Sequence, residues 1–232
     1  MKLQYKRILL KLSGEALGSN GISHNKLNLV VKQLRALHLS GVELAVVIGG
    51  GNIWRKRNQG QGFNPVAADY LGMIATIMNA LALKQALEKA GVKTQIQSAI
   101  NIKVPGTEKV NAVKAQSALA RGQVVIFAGG TGKPFFTTDT AAALQAAAIK
   151  AEVIIKASTT DGVYTADPKK FKSAKKLAHI TIKEAIKKNL GIMDKQAFKI
   201  CQQRKIPIVV CKWGSNLVSI VQGKKIGTHV LP

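Results

Sequence analysis

The sequence predicts an α/β fold built on a mainly parallel sheet with helices on both faces. Three observations carry that reading. Short apolar runs of strand length alternate with segments whose apolar residues recur at helical spacing. The run at 124–128 is apolar throughout, as a strand covered on both faces would be. Glycine clusters fall where such runs end, and sheets of this class bind ligands at the carboxyl ends of their strands.

The elements follow in order. A first strand is expected at residues 5–11. Residues 26–39 carry Leu27, Val30, Val31, Leu34 and Leu37 on one helical face. A strand at 43–48 runs into Gly49, Gly50 and Gly51. Residues 66–90 read as a long helix with Leu71, Ile74, Met78, Leu81 and Leu87 facing inward. A short strand at 94–98, a helix at 110–121 and a strand at 124–128 come next. The remainder reads as a helix at 140–150, a strand at 153–156, helices at 182–188 and 194–204, a strand at 208–211, a short helix at 217–221 and a strand at 228–231. Residues 161–176 read as a long loop between two halves, a common place for a lid. No internal repeat is present.

With 232 residues the chain can bury a substantial core. Its 47% apolar content excludes general disorder. The two cysteines, Cys201 and Cys211, form no C-x-x-C, which points to a reducing compartment and away from structural zinc. The four histidines are scattered and do not suggest a ligand set. Neither a secretory leader nor a membrane span is expected; residues 73–83 come closest to a span and are interrupted by Thr76 and Asn79. A cytoplasmic protein without membrane attachment is the expectation.

The net charge of +24 favours anionic ligands. The basic residues are dispersed, apart from a run at 169–176, and aromatics make up only 5%, so no stacking platform for nucleic acid is evident. Of only eleven carboxylates, Glu15, Asp69, Asp139, Asp161, Asp167 and Asp194 lie in or beside motif-like segments.

Four segments carry the chemistry. Lys11-Leu12-Ser13-Gly14-Glu15 places a cation, a hydroxyl and a glycine at a strand end. Gly49, Gly50 and Gly51 let backbone amides wrap an anion, and Arg55 follows as a bidentate phosphate ligand. Residues 128–139 run from strand through three glycines to Phe135, Phe136, Thr137, Thr138 and Asp139 ahead of an alanine-rich helix, a design that presents N–H groups and hydroxyls to an anion. Residues 156–168 follow another strand, and there Tyr164 is placed to lie against a base and Asp167 to meet ribose or magnesium. Asp69, near the start of the long helix, suits either a cap or a ribose contact. There is no Walker loop, G-x-G-x-x-G, H-E-x-x-H, G-x-S-x-G or protein-kinase H-R-D set.

Taken in order, these segments resemble the amino acid kinase superfamily and, within it, the bacterial uridylate (UMP) kinase family. The resemblance runs through residues 5–228 and is most specific at 49–55, 68–79, 131–139, 161–168 and 192–194. It implies a three-layer α/β/α sandwich in a single domain, with the acceptor nucleotide toward residues 1–150 and ATP toward 151–232. It also implies transfer of the ATP γ-phosphoryl group to UMP, giving UDP and ADP. Lys11, Arg55 and Asp139 would be the catalytic residues. Lys11, Leu12, Ser13, Gly14, Gly51, Arg55, Ser158, Tyr164 and Asp167 would bind ATP. Gly50, Asp69, Thr131, Gly132, Lys133, Pro134, Phe135, Phe136, Thr137 and Thr138 would bind UMP. Asp139 would organise Mg2+ carried with ATP. The family implies a homohexamer with GTP and UTP as effectors, and no need of nucleic acid. Lys56, Lys133 and Thr160 depart from its pattern. Two other readings remain at this stage: an amino acid kinase with a carboxylate or carbamate acceptor, and a catalytically impaired basic nucleotide- or RNA-binding protein.

Overall fold

A computed structural model describes residues 2–55, 59–168 and 170–232. Its strands, in chain order, are β1 (Arg7–Leu12), β2 (Glu43–Ile48), β3 (Thr94–Ser98), β4 (Thr107–Lys109), β5 (Val124–Ala128), β6 (Val153–Ser158), β7 (Val163–Tyr164), β8 (Lys176–Leu177), β9 (His179–Thr181), β10 (Ile208–Lys212) and β11 (Thr228–Leu231). Among the described residues nine of them form one sheet in the order β4-β3-β5-β2-β1-β6-β10-β11-β9. Every neighbouring pair is parallel except β10 with β11. Among the described residues the α-helices are α1 (His24–Leu39), α2 (Pro65–Lys89), α3 (Ala112–Ala120), α4 (Thr138–Ala148), α5 (Ile182–Lys187), α6 (Lys195–Arg204) and α7 (Leu217–Val221).

The pleat of β1 sorts these helices into layers. Ile8, Leu10 and Leu12 point to one face, where α1, α2 and α7 pack. Leu9 points to the other, beneath α3, α4, α5 and α6. The three-layer α/β/α sandwich is therefore present. Side-chain oxygens start most of the helices: Asn64 caps α2, Asn111 caps α3, Thr137 caps α4 and Asp194 caps α6. Thr181 and Glu184 form a reciprocal capping box on α5.

Four details differ from the sequence reading. β4 and β9 are short strands at the two edges of the sheet, and β4 has no apolar run because it is a polar edge held by pairing with β3. The expected loop at 161–176 contains β7, which pairs with β8 as a small antiparallel ribbon. α4 begins at Thr138, because Thr137 rather than a later residue supplies the cap. The inward face of α2 is also corrected. Ala68, Ile77, Ala80, Leu83 and Leu87 are buried, whereas Ile74 and Met78 are 42% and 49% exposed. The helix is apolar on nearly every side, so periodicity alone does not choose a face. By length and composition α2 is long and apolar enough to cross a bilayer, but one side of it forms part of the core over the sheet.

Candidate active site

The site follows from register. β1 and β6 are parallel neighbours, and Lys11 and Lys156 are direct Cα partners near their carboxyl ends. On the other side of β1, Leu12 is paired with Ile48, so β2 delivers its three glycines beside the turn after β1. The chain leaves β1 toward β2 on one side and reaches β6 on the other, and the crevice lies at this switch point.

A cavity of about 690 Å3 opens there. Lys11, Ser13, Gly14, Gly50, Gly51, Arg55, Asp69, Thr131, Phe136, Thr137 and Thr138 line it. Gly50 is required by contact: a Cβ there would lie 2.8 Å from the Ala75 Cβ and from the Gly72 carbonyl oxygen of α2. The N-terminus of α4 also faces this space through Thr137 and Thr138, and the positive end of its dipole favours an anion. Arg55 is held in the cavity by an ion pair with Glu15. The Trp54 indole N–H donates to the Ala68 carbonyl at 2.8 Å and fixes the glycine turn against the start of α2.

A second cavity, of about 650 Å3, lies beyond β6. Ser158, Tyr164 and Asp167 line it with Lys156, Phe171 and residues 188–192. The Tyr164 hydroxyl donates to Asp161 at 2.7 Å, and Lys176 pairs with the same carboxylate at 2.8 Å.

Asp139 bridges Lys11 of the first cavity and Lys156 of the second. Its Oδ2 accepts a hydrogen bond from Lys156 Nζ at 2.7 Å, and its Oδ1 lies 2.9 Å from Lys11 Nζ. The second contact is a close ion pair whose angles fall outside hydrogen-bond geometry, so Oδ1 is buried without an aligned donor. Burial is the largest influence on the Asp139 carboxyl and raises its pKa, but Lys11 and Lys156 together outweigh it and leave the pKa below its ordinary value. Burial is also the largest influence on Lys156 and lowers its pKa; Asp139 opposes this and the like charge of Lys11 adds to it. Lys156 also donates to the Ile192 carbonyl, which ties it to the loop before α6.

The other predicted residues are placed as follows. The Leu12 side chain is fully buried in the core, which leaves only its backbone to face the crevice. Gly132, Lys133, Pro134 and Phe135 form the turn beside the first cavity rather than its lining. Phe135 is 70% exposed with φ +69°, a rare conformation for a bulky residue, and its N–H donates to Asp69 at 2.8 Å. Lys56 lies outside the described residues, as does Lys169 of the basic run.

The sequence reading gave Lys156 no role. The only signal for it was its position at the end of an apolar run that pairs with the Lys11 strand, and that pairing is not visible in one sequence. Asp194 was noted without a role. It caps α6, accepts from Thr137 at 2.5 Å and from Thr140 at 2.9 Å, and so ties the starts of α4 and α6 together.

Among the described residues no group of three or more His, Cys, Asp or Glu side chains is arranged to hold a metal ion. Magnesium in phosphoryl-transfer sites takes one or two carboxylates with the rest from phosphate and water. The unaligned Asp139 Oδ1 suits that limited role.

The model of the amino acid kinase family matches residues 6–212. The chain belongs to the amino acid kinase family. Among solved structures, this amino acid kinase is similar to UMP kinase from Bacillus anthracis, with 31% identity and TM-score 0.94 over 98% of this chain and 96% of that one. It is similar to UMP kinase from Ureaplasma parvum, with 35% identity and TM-score 0.90 over the whole of both chains. It is also similar to uridylate kinase from Archaeoglobus fulgidus, with 31% identity and TM-score 0.75 over 96% of this chain and 99% of that one.

Proposed function

We propose that the chain is a UMP kinase, a phosphotransferase that moves the γ-phosphoryl group of ATP to UMP. The observation that carries this reading is the Lys11–Asp139–Lys156 bridge between two cavities of nucleotide size. Likeness across nearly whole chains to UMP kinases supports it.

Phosphoryl transfer asks the protein for positioning and charge stabilisation. ATP enters the second cavity, with its nucleoside beside Ser158, Tyr164 and Asp167 and its phosphates reaching Lys156, Lys11, Gly14 and Gly51. UMP occupies the first cavity, with Asp69 toward the ribose, Thr131 toward the base and Thr138 with the α4 N-terminus toward the phosphate. The two ammoniums flank the transferring group and stabilise the charge on its oxygens. Asp139 keeps both lysines in place and offsets part of their charge. Arg55 leaves Glu15 for a phosphate oxygen. Magnesium carried with ATP neutralises phosphate charge, and Asp139 is the carboxylate that would hold it together with phosphate oxygens.

The homohexamer and its control by GTP and UTP belong to the same reading. Val66, Tyr70, Ile74 and Met78 form an exposed stripe of fourfold spacing on α2, which suits contact with a second copy. Two free, buried cysteines accord with a cytoplasmic setting.

The test is ADP formation from ATP and magnesium with UMP, CMP, aspartate, glutamate or carbamate as acceptor. Turnover with UMP above all others is expected. Turnover only with a non-nucleotide acceptor would overturn the reading.

A further inference from the structure

We infer that Asn52 and Asn79, a buried amide pair outside both cavities of the site, are positioning residues for phosphoryl transfer. The inference rests on the proposed kinase function. Asn79 is fully buried on α2 and Asn52 is 4% exposed in the turn after β2. A buried amide is costly unless every polar atom is paired. Here each is paired. Asn79 Nδ2 donates to Asn52 Oδ1 at 2.7 Å and Asn52 Nδ2 donates back to Asn79 Oδ1 at 3.1 Å. The second proton of each Nδ2 goes to a backbone carbonyl, Gly49 at 2.7 Å and Gly21 at 2.9 Å.

What the pair connects gives it its role. A turn of three glycines has no side chains to fix it and a wide backbone freedom. Asn79 fixes the first of those carbonyls. The turn after β1 rests on the same pair, since a Cβ on Gly14 would fall 2.3 Å from Asn52 Oδ1 and 2.8 Å from the Gly51 nitrogen. Asn79 shares α2 with Asp69, so one satisfied network sets both phosphate turns relative to the helix on the acceptor side. Filling this space with apolar groups would preserve packing but would leave the Gly49 carbonyl without its donor.

The experiment compares full-length wild type with Asn52→Ala, Asn79→Ala and the double variant. It measures steady-state kinetics with ATP, magnesium and UMP, and MgATP affinity by calorimetry. Each single variant is expected to lose about tenfold or more in kcat and about tenfold in MgATP affinity, because small misplacements of phosphate-binding groups are costly. KM for UMP should stay within about threefold, a split that a general loss of folding would not produce. The double variant should lose no more than the worse single, because the two residues act as one unit. Asn79→Asp keeps the shape and removes the donor to Gly49, and it carries the same expectation if the alanine variants do not fold. Near-normal kcat and MgATP affinity in the single variants would overturn the inference, as would losses that multiply in the double variant. If no variant folds, the pair serves the fold alone and the inference is overturned as well. A wild type that binds MgATP but does not use UMP defeats the kinase reading instead, and the calorimetric comparison still decides the role of the pair.

Discussion

Lys11 and Lys156 stand directly opposite each other on neighbouring parallel strands, with the Asp139 carboxylate 2.9 Å from one ammonium and 2.7 Å from the other. Two adjacent, mostly buried ammoniums repel, and the repulsion grows as water is removed. A carboxylate in the first turn of α4 resolves this and is itself favoured by the helix dipole. The arrangement leaves net positive charge at the junction of two cavities, where a transferring phosphoryl group needs it.

Asp139→Asn removes that compensation while keeping the shape. With two ammoniums left unpaired in a mostly buried site, stability should fall by about 3 kcal/mol. Turnover should fall on the order of 10²-fold, as when an aimed electrostatic group is lost. Urea unfolding and steady-state kinetics measure the two effects separately.

The pH dependence has a definite sign on each side. The Asp139 pKa is depressed by the two lysines, which outweigh burial. Its contribution to stability is therefore complete above the unfolded value of about 3.9 and is lost as pH falls through the lower folded value. The Lys156 pKa is depressed by burial, so its ammonium is lost below the ordinary value of about 10.4. Above that folded value the unfolded chain binds the proton more readily, so this group's own titration raises stability with pH up to about 10.4, even as activity declines. A kcat/KM profile should show its alkaline limb below the ordinary lysine value and no acid limb from Asp139 above the ordinary carboxylate range.

Gly50→Ala tests the approach of the β2 turn to α2. The new Cβ would collide with Ala75 and with the Gly72 backbone. Overpacking of this kind costs about 1–3 kcal/mol, and the displaced turn should reduce kcat about tenfold or more. Thermal unfolding and kinetics on the purified variant check both.

Thr137→Val tests the link between the two halves of the site. The hydroxyl accepts from the Asp139 and Thr140 N–H groups and donates to Asp194. Loss of the cap and of that bond should cost about 1–2 kcal/mol. A lowered Tm with a raised KM for UMP is expected, since Thr137 lines the first cavity.

Much of the fold was legible because buried parallel strands announce themselves as apolar runs. β2 and β5 lie where their runs are, and α1 buries Leu27, Val30, Val31, Leu34 and Leu37 as its pattern indicates. β4 and β9 were not legible, because both are three-residue edge strands with no sustained apolar run. The outward face of α2 was misread because Ile74 and Met78 are as apolar as the residues beneath them. In the site, glycine turns and Lys11 were visible as motifs at strand ends. Lys156 and the Asn52–Asn79 pair were not, because their roles arise from register and from contacts across 27 residues or more. Asp139 was visible as a carboxylate near a helix start, but its two lysine partners appear only in three dimensions.

The most direct test of the account is ADP formation from ATP, magnesium and UMP by wild type and by Lys156→Met. The account predicts ready turnover by the wild type and a loss of about 10²-fold or more in kcat for the variant. Equal turnover by the two proteins, or none by the wild type with UMP, would contradict it.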